Sequence, residues 1–154
     1  MKKLNLFIGL LIGLMIFSCS SDNNDEPQLT VEELLVQGSP WTFDHYEMIN
    51  IIDLGNSNYS VEQIETNTNQ SNDGITLQFS SDMTGTKIIP NENNLNFDWK
   101  IINESDLRIS FNLDDQQDYS FALSNNELIL EGLVETYGGE SSGFILHYGK
   151  FFYQ

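Results

Sequence analysis

The chain has 154 residues, 6 of them basic and 23 acidic, a formal charge of −17, with a single cysteine and two histidines. So acidic a chain lacks the clustered Lys and Arg that nucleic acid or anionic head groups require. One cysteine excludes an internal disulfide, and the length sets one domain plus a tether. In chain order, Lys2 and Lys3 precede an apolar run from Leu4 to Phe17, closed by small residues. A charged start, a short apolar core and small residues at a cleavage point read as a secretory signal peptide over residues 1–18. The run is too short to span a bilayer, which needs ~20 apolar residues.

The stretch Leu14-Met15-Ile16-Phe17-Ser18-Cys19-Ser20 sets the lone cysteine directly after that cleavage point. It resembles the lipobox of bacterial lipoproteins, with Ile16-Phe17 where the family has a Leu-Ala-like pair. The resemblance implies that Cys19 becomes the new N-terminus and carries a diacylglycerol and a further acyl chain such as palmitate. Acylation also consumes a thiol that would be a liability in an oxidising compartment. Two or three chains anchor firmly where one binds only marginally. Removal of residues 1–18 leaves 136 residues in which Lys87, Lys100, Arg108 and Lys150 face all 23 acids, a formal charge of −19.

Residues 19–29 open with Ser-Ser-Asp-Asn-Asn-Asp-Glu-Pro after the cysteine and read as a lipidated acidic tether, too polar to bury anything. This segment resembles the acidic export signals of some Gram-negative surface lipoproteins. The expected location is therefore the outer membrane, lipid-anchored and exposed at the cell surface.

Residues 30–154 form the domain. Thr30-Val31-Glu32-Glu33 has capping-box spacing before Leu34, Leu35 and Val36, and Gly38 with Pro40 end the short helix. From Trp41 the pattern changes to alternation, with Trp41 and Phe43 on one face and Thr42 and Asp44 on the other, through about Ile51. Ser60-Val61-Glu62-Gln63 caps a short helix to about Asn69, outside the sheet. Then come strands through Ile75, Leu77 and Phe79, a short one holding Ile88 and ended by Pro90, and one with Leu95, Phe97, Trp99 and Ile101. Leu107, Ile109, Phe111 and Leu113 make the fifth; Tyr119, Phe121 and Leu123 the sixth. Leu128, Leu130 and Val134 make the seventh, and Gly143 to Tyr153 the last, apolar or aromatic on both faces. Eight strands joined mostly by hairpin-length turns predict an all-β, eight-stranded antiparallel up-and-down barrel with a short N-terminal helix. Closure removes the exposed edges.

Gly38-Ser-Pro-Trp41 opening the first strand, the hairpin from Phe79 through Gly85, and the Trp99 strand resemble the bacterial lipocalin-like domains of secreted lipoproteins. Lipocalins proper have Gly-x-Trp where this chain has Gly-x-x-Trp. The resemblance implies a closed barrel and a small apolar ligand. It also implies a basic side chain from near the chain end stacked over the opening tryptophan, a role that falls to Lys150, within ~6 Å of the Trp41 ring.

No stretch commits the chain to a reaction, and the expectation is a protein that is not an enzyme and has no cofactor. It has no Gly-x-Ser-x-Gly elbow, His-Glu-x-x-His or phosphate loop. His45 and His147 fall short of the four ligands of a structural zinc site, although pairing of the first and last strands would bring them close. Asp114, Asp115 and Asp118 lack calcium-loop spacing and read as an acidic turn. The aromatics remain. Trp41, Phe43, Phe79, Phe97, Trp99, Phe111, Tyr119, Phe121 and Tyr148 either fill the barrel or line a ligand pocket. The expected partners are the membrane, through the N-terminal lipid, and a small apolar ligand. The alternative is a protein-interaction module, an inhibitor or surface-complex subunit that uses the barrel loops.

Overall fold

A computed structural model describes residues 29–112, 115–124, 126–137 and 143–154. The signal peptide, Cys19 and the tether before Leu29 lie outside the described residues, as do Leu113, Asp114, Asn125 and Gly138-Gly139. Helix α1 (Val31–Gln37) begins at the expected capping box: Glu33 N donates to Thr30 Oγ1 at 3.2 Å and Thr30 N to Glu33 Oε2 at 2.8 Å. Eight strands follow, β1 (Trp41–Asp53), β2 (Thr76–Phe79), β3 (Thr84–Ile88), β4 (Leu95–Asn103), β5 (Asp106–Ser110), β6 (Gln116–Ser124), β7 (Glu127–Tyr137) and β8 (Phe144–Tyr153). Each is antiparallel to its neighbours, and β8 returns to β1 to close an up-and-down barrel in sequence order.

Alternation decides what fills it. Trp41 and Phe43 on β1, Leu77 and Phe79 on β2, Phe97 and Trp99 on β4 and Leu107 and Ile109 on β5 are buried. So are Leu128 and Leu130 on β7 and Phe151 and Tyr153 on β8. Phe79 meets Phe97 and Trp99 edge-on at centroid distances of 5.4 and 5.5 Å, the packing that ring quadrupoles favour. This core lies toward one end of the barrel, and α1 closes that end. Buried Leu35 packs on the core, Trp41 Nε1–H donates to Leu35 O at 2.9 Å, and Ser39 Oγ accepts from Phe79 N at 2.7 Å. Gly38 lies flat on the indole: any Cβ there would collide with the Trp41 ring. The extra residue between glycine and tryptophan is thus absorbed in the turn, and the glycine still packs on the ring.

The register corrects one expectation. Thr42 and Gln154 exchange backbone hydrogen bonds at 2.8 and 2.9 Å, so Trp41 lies at the very end of the β1–β8 seam. Lys150 sits further up the strand opposite Glu47 and Glu131, points outward and pairs with Glu131 Oε2 at 3.4 Å. It does not stack on Trp41. The two histidines are not neighbours either. His45 faces outward and stacks on Phe152 at 4.2 Å, whereas His147 stands opposite Ile51 and is fully buried.

Candidate functional site

The end of the barrel away from α1 is built differently. Helix α2 (Val61–Asn72), a turn longer than its apolar content suggests, is inserted between β1 and β2. Ser60 and Gln63 form its capping box, and Ile64 and Thr68 are its buried residues. β1 and β2 pair only around Trp41 and Thr42, because β2 is four residues long and β1 thirteen. Beyond that point β1 presents an unpaired edge, and α2 covers it with side chains. Asn69 imitates a strand partner: its Oδ1 accepts from Tyr46 N at 2.7 Å and its Nδ2 donates to Tyr46 O at 3.0 Å. Glu65 Oε1 accepts from Met48 N at 3.2 Å. Covering an edge in this way satisfies its backbone groups and blocks pairing with another chain.

A second gap lies between β6 and β7, whose pairing runs only from Ser124–Glu127 to Ser120–Glu131. Above it, Gln117 Nε2 donates to Leu133 O, and Tyr119 Oη donates to Gln117 Oε1 at 2.7 Å. Between this gap and α2 opens a cleft of about 1050 Å³. Its walls are Asn67, Thr68, Gln70, Ser71 and Asn72 of α2, Lys87 of β3, Asp115 to Gln117 and Tyr119, Leu133 to Thr136 of β7, and Leu146 and Phe151 of β8. Amides, hydroxyls and charges outnumber apolar groups there, so a molecule held in it meets many hydrogen-bonding partners as well as an apolar floor.

Three polar groups on the inner face shape this end. His147 bridges Tyr46 Oη, at 2.7 Å from Nδ1, and Thr136 Oγ1, at 2.8 Å from Nε2. Both partners are hydroxyls able to donate or accept, so a neutral imidazole is satisfied in either tautomer. Burial pushes the His147 pKa down. It pushes the Tyr46 phenol up, as does the nearby Glu65 carboxylate. Gly149 makes the arrangement possible, because a Cβ there would strike the Tyr46 hydroxyl and Glu47 O. The third group is Lys87. It stands opposite buried Leu77 in the register and therefore on the inner face, with Nζ 6.0 Å from the centroid of the Phe111 ring. Burial pulls its pKa down, against the opposing pull of Asp115 and Glu92.

Of the nine aromatics singled out by alternation, the structure places Tyr119 in the cleft wall. Trp41, Phe43, Phe79, Phe97 and Trp99 are buried in the core at the α1 end, and Phe121 and Phe111 pack half-buried against it. Tyr148 lies on the outer face, beside Leu133 and Glu131. Sequence patterning missed Lys87 and the polar face of α2 as cleft residues. Lys87 was legible in principle, since it shares the parity of Gly85 on a strand whose inward positions can be counted. Among the described residues no group of His, Cys, Asp and Glu is arranged to hold a metal ion, and no helix is long and apolar enough to cross a membrane.

An eight-stranded antiparallel barrel closed by a helix at one end and holding a cleft at the other is consistent with a lipocalin-like fold. No family model, no curated protein and no solved structure matches the chain.

Proposed function

We propose that the protein is a lipid-anchored bacterial surface lipoprotein whose lipocalin-like barrel binds a small molecule, without catalysing a reaction. The observation that carries the binding role is the cleft of about 1050 Å³ between α2 and the β6–β7 gap. That is a volume typical of small-molecule sites. Its lining favours an amphiphilic ligand over a wholly apolar one, since the large aromatics are taken up by the core at the other end. The lipobox-like stretch ending at Cys19 supports the anchor, and the acidic tether supports display away from the membrane. A second reading, a module that engages a protein partner, draws on the apolar side chains exposed around the barrel, among them Ile49, Ile52 and Phe144.

Mass spectrometry of the mature protein from its own host tests anchor and ligand together. The denatured mass is expected to equal residues 19–154 plus acyl chains on Cys19, and the native mass to exceed it by a small molecule released on unfolding. An unacylated Cys19 would overturn the anchor. A native mass that exceeds the denatured one by a protein subunit, with no small molecule released, would favour the second reading.

A further inference from the structure

We propose that the cleft ligand is a compact amphiphilic anion, an aromatic or alicyclic carboxylate or sulfonate whose charged group sits on Lys87. The inference rests on the cleft being a ligand site and names what it takes. Its basis is how the few cations of this acidic chain are placed. On the outer face, Arg108 is held by Asp118 through two bonds of 2.6 and 2.7 Å, and Lys150 by Glu131 at 3.4 Å. Lys100 lies exposed opposite Arg108, also outside the barrel. Lys87 alone among these four basic residues is turned inward, and it makes no ion pair among the described residues.

A partly desolvated ammonium without a counter-ion is unfavourable, because low polarity raises the free energy of an unmet charge. The Phe111 ring beneath it compensates only in part. The carboxylates that bear on Lys87, Asp115 and Glu92, are exposed and keep their hydration, as does Glu135 on the cleft wall. They neither neutralise Lys87 at contact distance nor fill the space in front of it. An anionic head group entering the cleft would gain a charge-assisted hydrogen bond from Nζ. The second N–H of Gln117 Nε2, whose first goes to Leu133 O, supplies a further donor, with Phe151 as apolar floor. The amides of α2 along the cleft suit a compact molecule with polar groups better than a long acyl chain.

Two fluorescent probes with the same ring system separate charge from apolar contact: 8-anilinonaphthalene-1-sulfonate, which is anionic, and N-phenyl-1-naphthylamine, which is neutral. The folded domain is expected to bind the anion about tenfold tighter than the neutral probe, the size of one charge-assisted bond. Lys87→Met, which keeps the apolar stem over Phe111, is expected to abolish that preference and leave the neutral probe unchanged. Lys87→Arg is expected to retain it, which separates loss of charge from loss of fold. Equal affinity for the two probes, or an anion indifferent to Lys87→Met, would overturn the inference while leaving the cleft as a ligand site. If neither probe binds, both readings fall.

Discussion

The two ends of the barrel solve the same problem, finishing a closed sheet, with opposite chemistry. At the α1 end the helix is docked by an apolar side chain, Leu35, and the strand ends converge on Trp41, Phe79, Phe97, Trp99 and Tyr153. At the other end α2 is docked by buried Ile64 together with polar side chains that bond backbone atoms of β1, and the space below it stays open. Apolar packing is non-directional and scales with buried area, so it makes a seal. Hydrogen bonds from Asn69 and Glu65 are directional and individually modest. They hold a helix in place without filling the volume beneath it. The contrast is between an end that stabilises and an end that can accommodate.

The largest effect that would expose this contrast is Trp41→Ala. It empties the space of a side chain 1% exposed and orphans Leu35 O, and large-to-small changes of this kind cost about 3–5 kcal/mol. Denaturant unfolding is expected to show that loss as a global shift of the midpoint. A loss below about 1 kcal/mol would mean the α1 end is not where the fold is held.

Asn69→Ala tests the other end and should be smaller and local. It leaves the Tyr46 N–H and C=O without their partner, at about 1–3 kcal/mol. Amide exchange is expected to speed up in α2 and at Tyr46 while the amides of β4 and β5 stay protected. Uniform acceleration across the barrel would erase the distinction between the two ends.

The smallest effect expected concerns pH. Burial holds the His147 pKa in the folded protein below its unfolded value, near ~6.5, so the unfolded chain binds more protons between the two. The stability that neutral His147 contributes is therefore present above the unfolded pKa and is lost as pH falls through that window. The quantity to compare is wild type against His147→Gln, which differ in this one group. The variant should lose less stability than wild type between about pH 7.5 and about pH 5. Parallel stability profiles for the two proteins would show that the His147 pKa does not change on folding.

Much of this architecture was legible from local chemistry. Period-two alternation reports which side of a strand faces inward, and hairpin-length turns leave few topologies, so eight strands in a meander follow from residues such as Leu95, Phe97, Trp99 and Ile101. Capping boxes at Thr30 and Ser60 marked both helices, because a cap is a contact between residues three apart. The Lys150 expectation failed because pairing register across the closing seam depends on the bulges in β1, at Phe43/His45, Met48/Asn50 and Ile51/Asp53. Strand periodicity carries no trace of them.

What the sequence alone determined was the order of the strands and the inward positions of those with clean alternation, since both arise from contacts between neighbours in the chain. Strand β8, apolar on both faces, did not reveal that Tyr148 points outward. Only the tertiary structure decided which inward positions are packed solid and which border open space. That choice depends on strands of unequal length, β2 against β1 and β6 against β7, parting at one end while the aromatics crowd the other. Lys87, Tyr46 and His147 come from strands far apart in the chain. They share one end because the barrel closes, a fact held in no single stretch of residues.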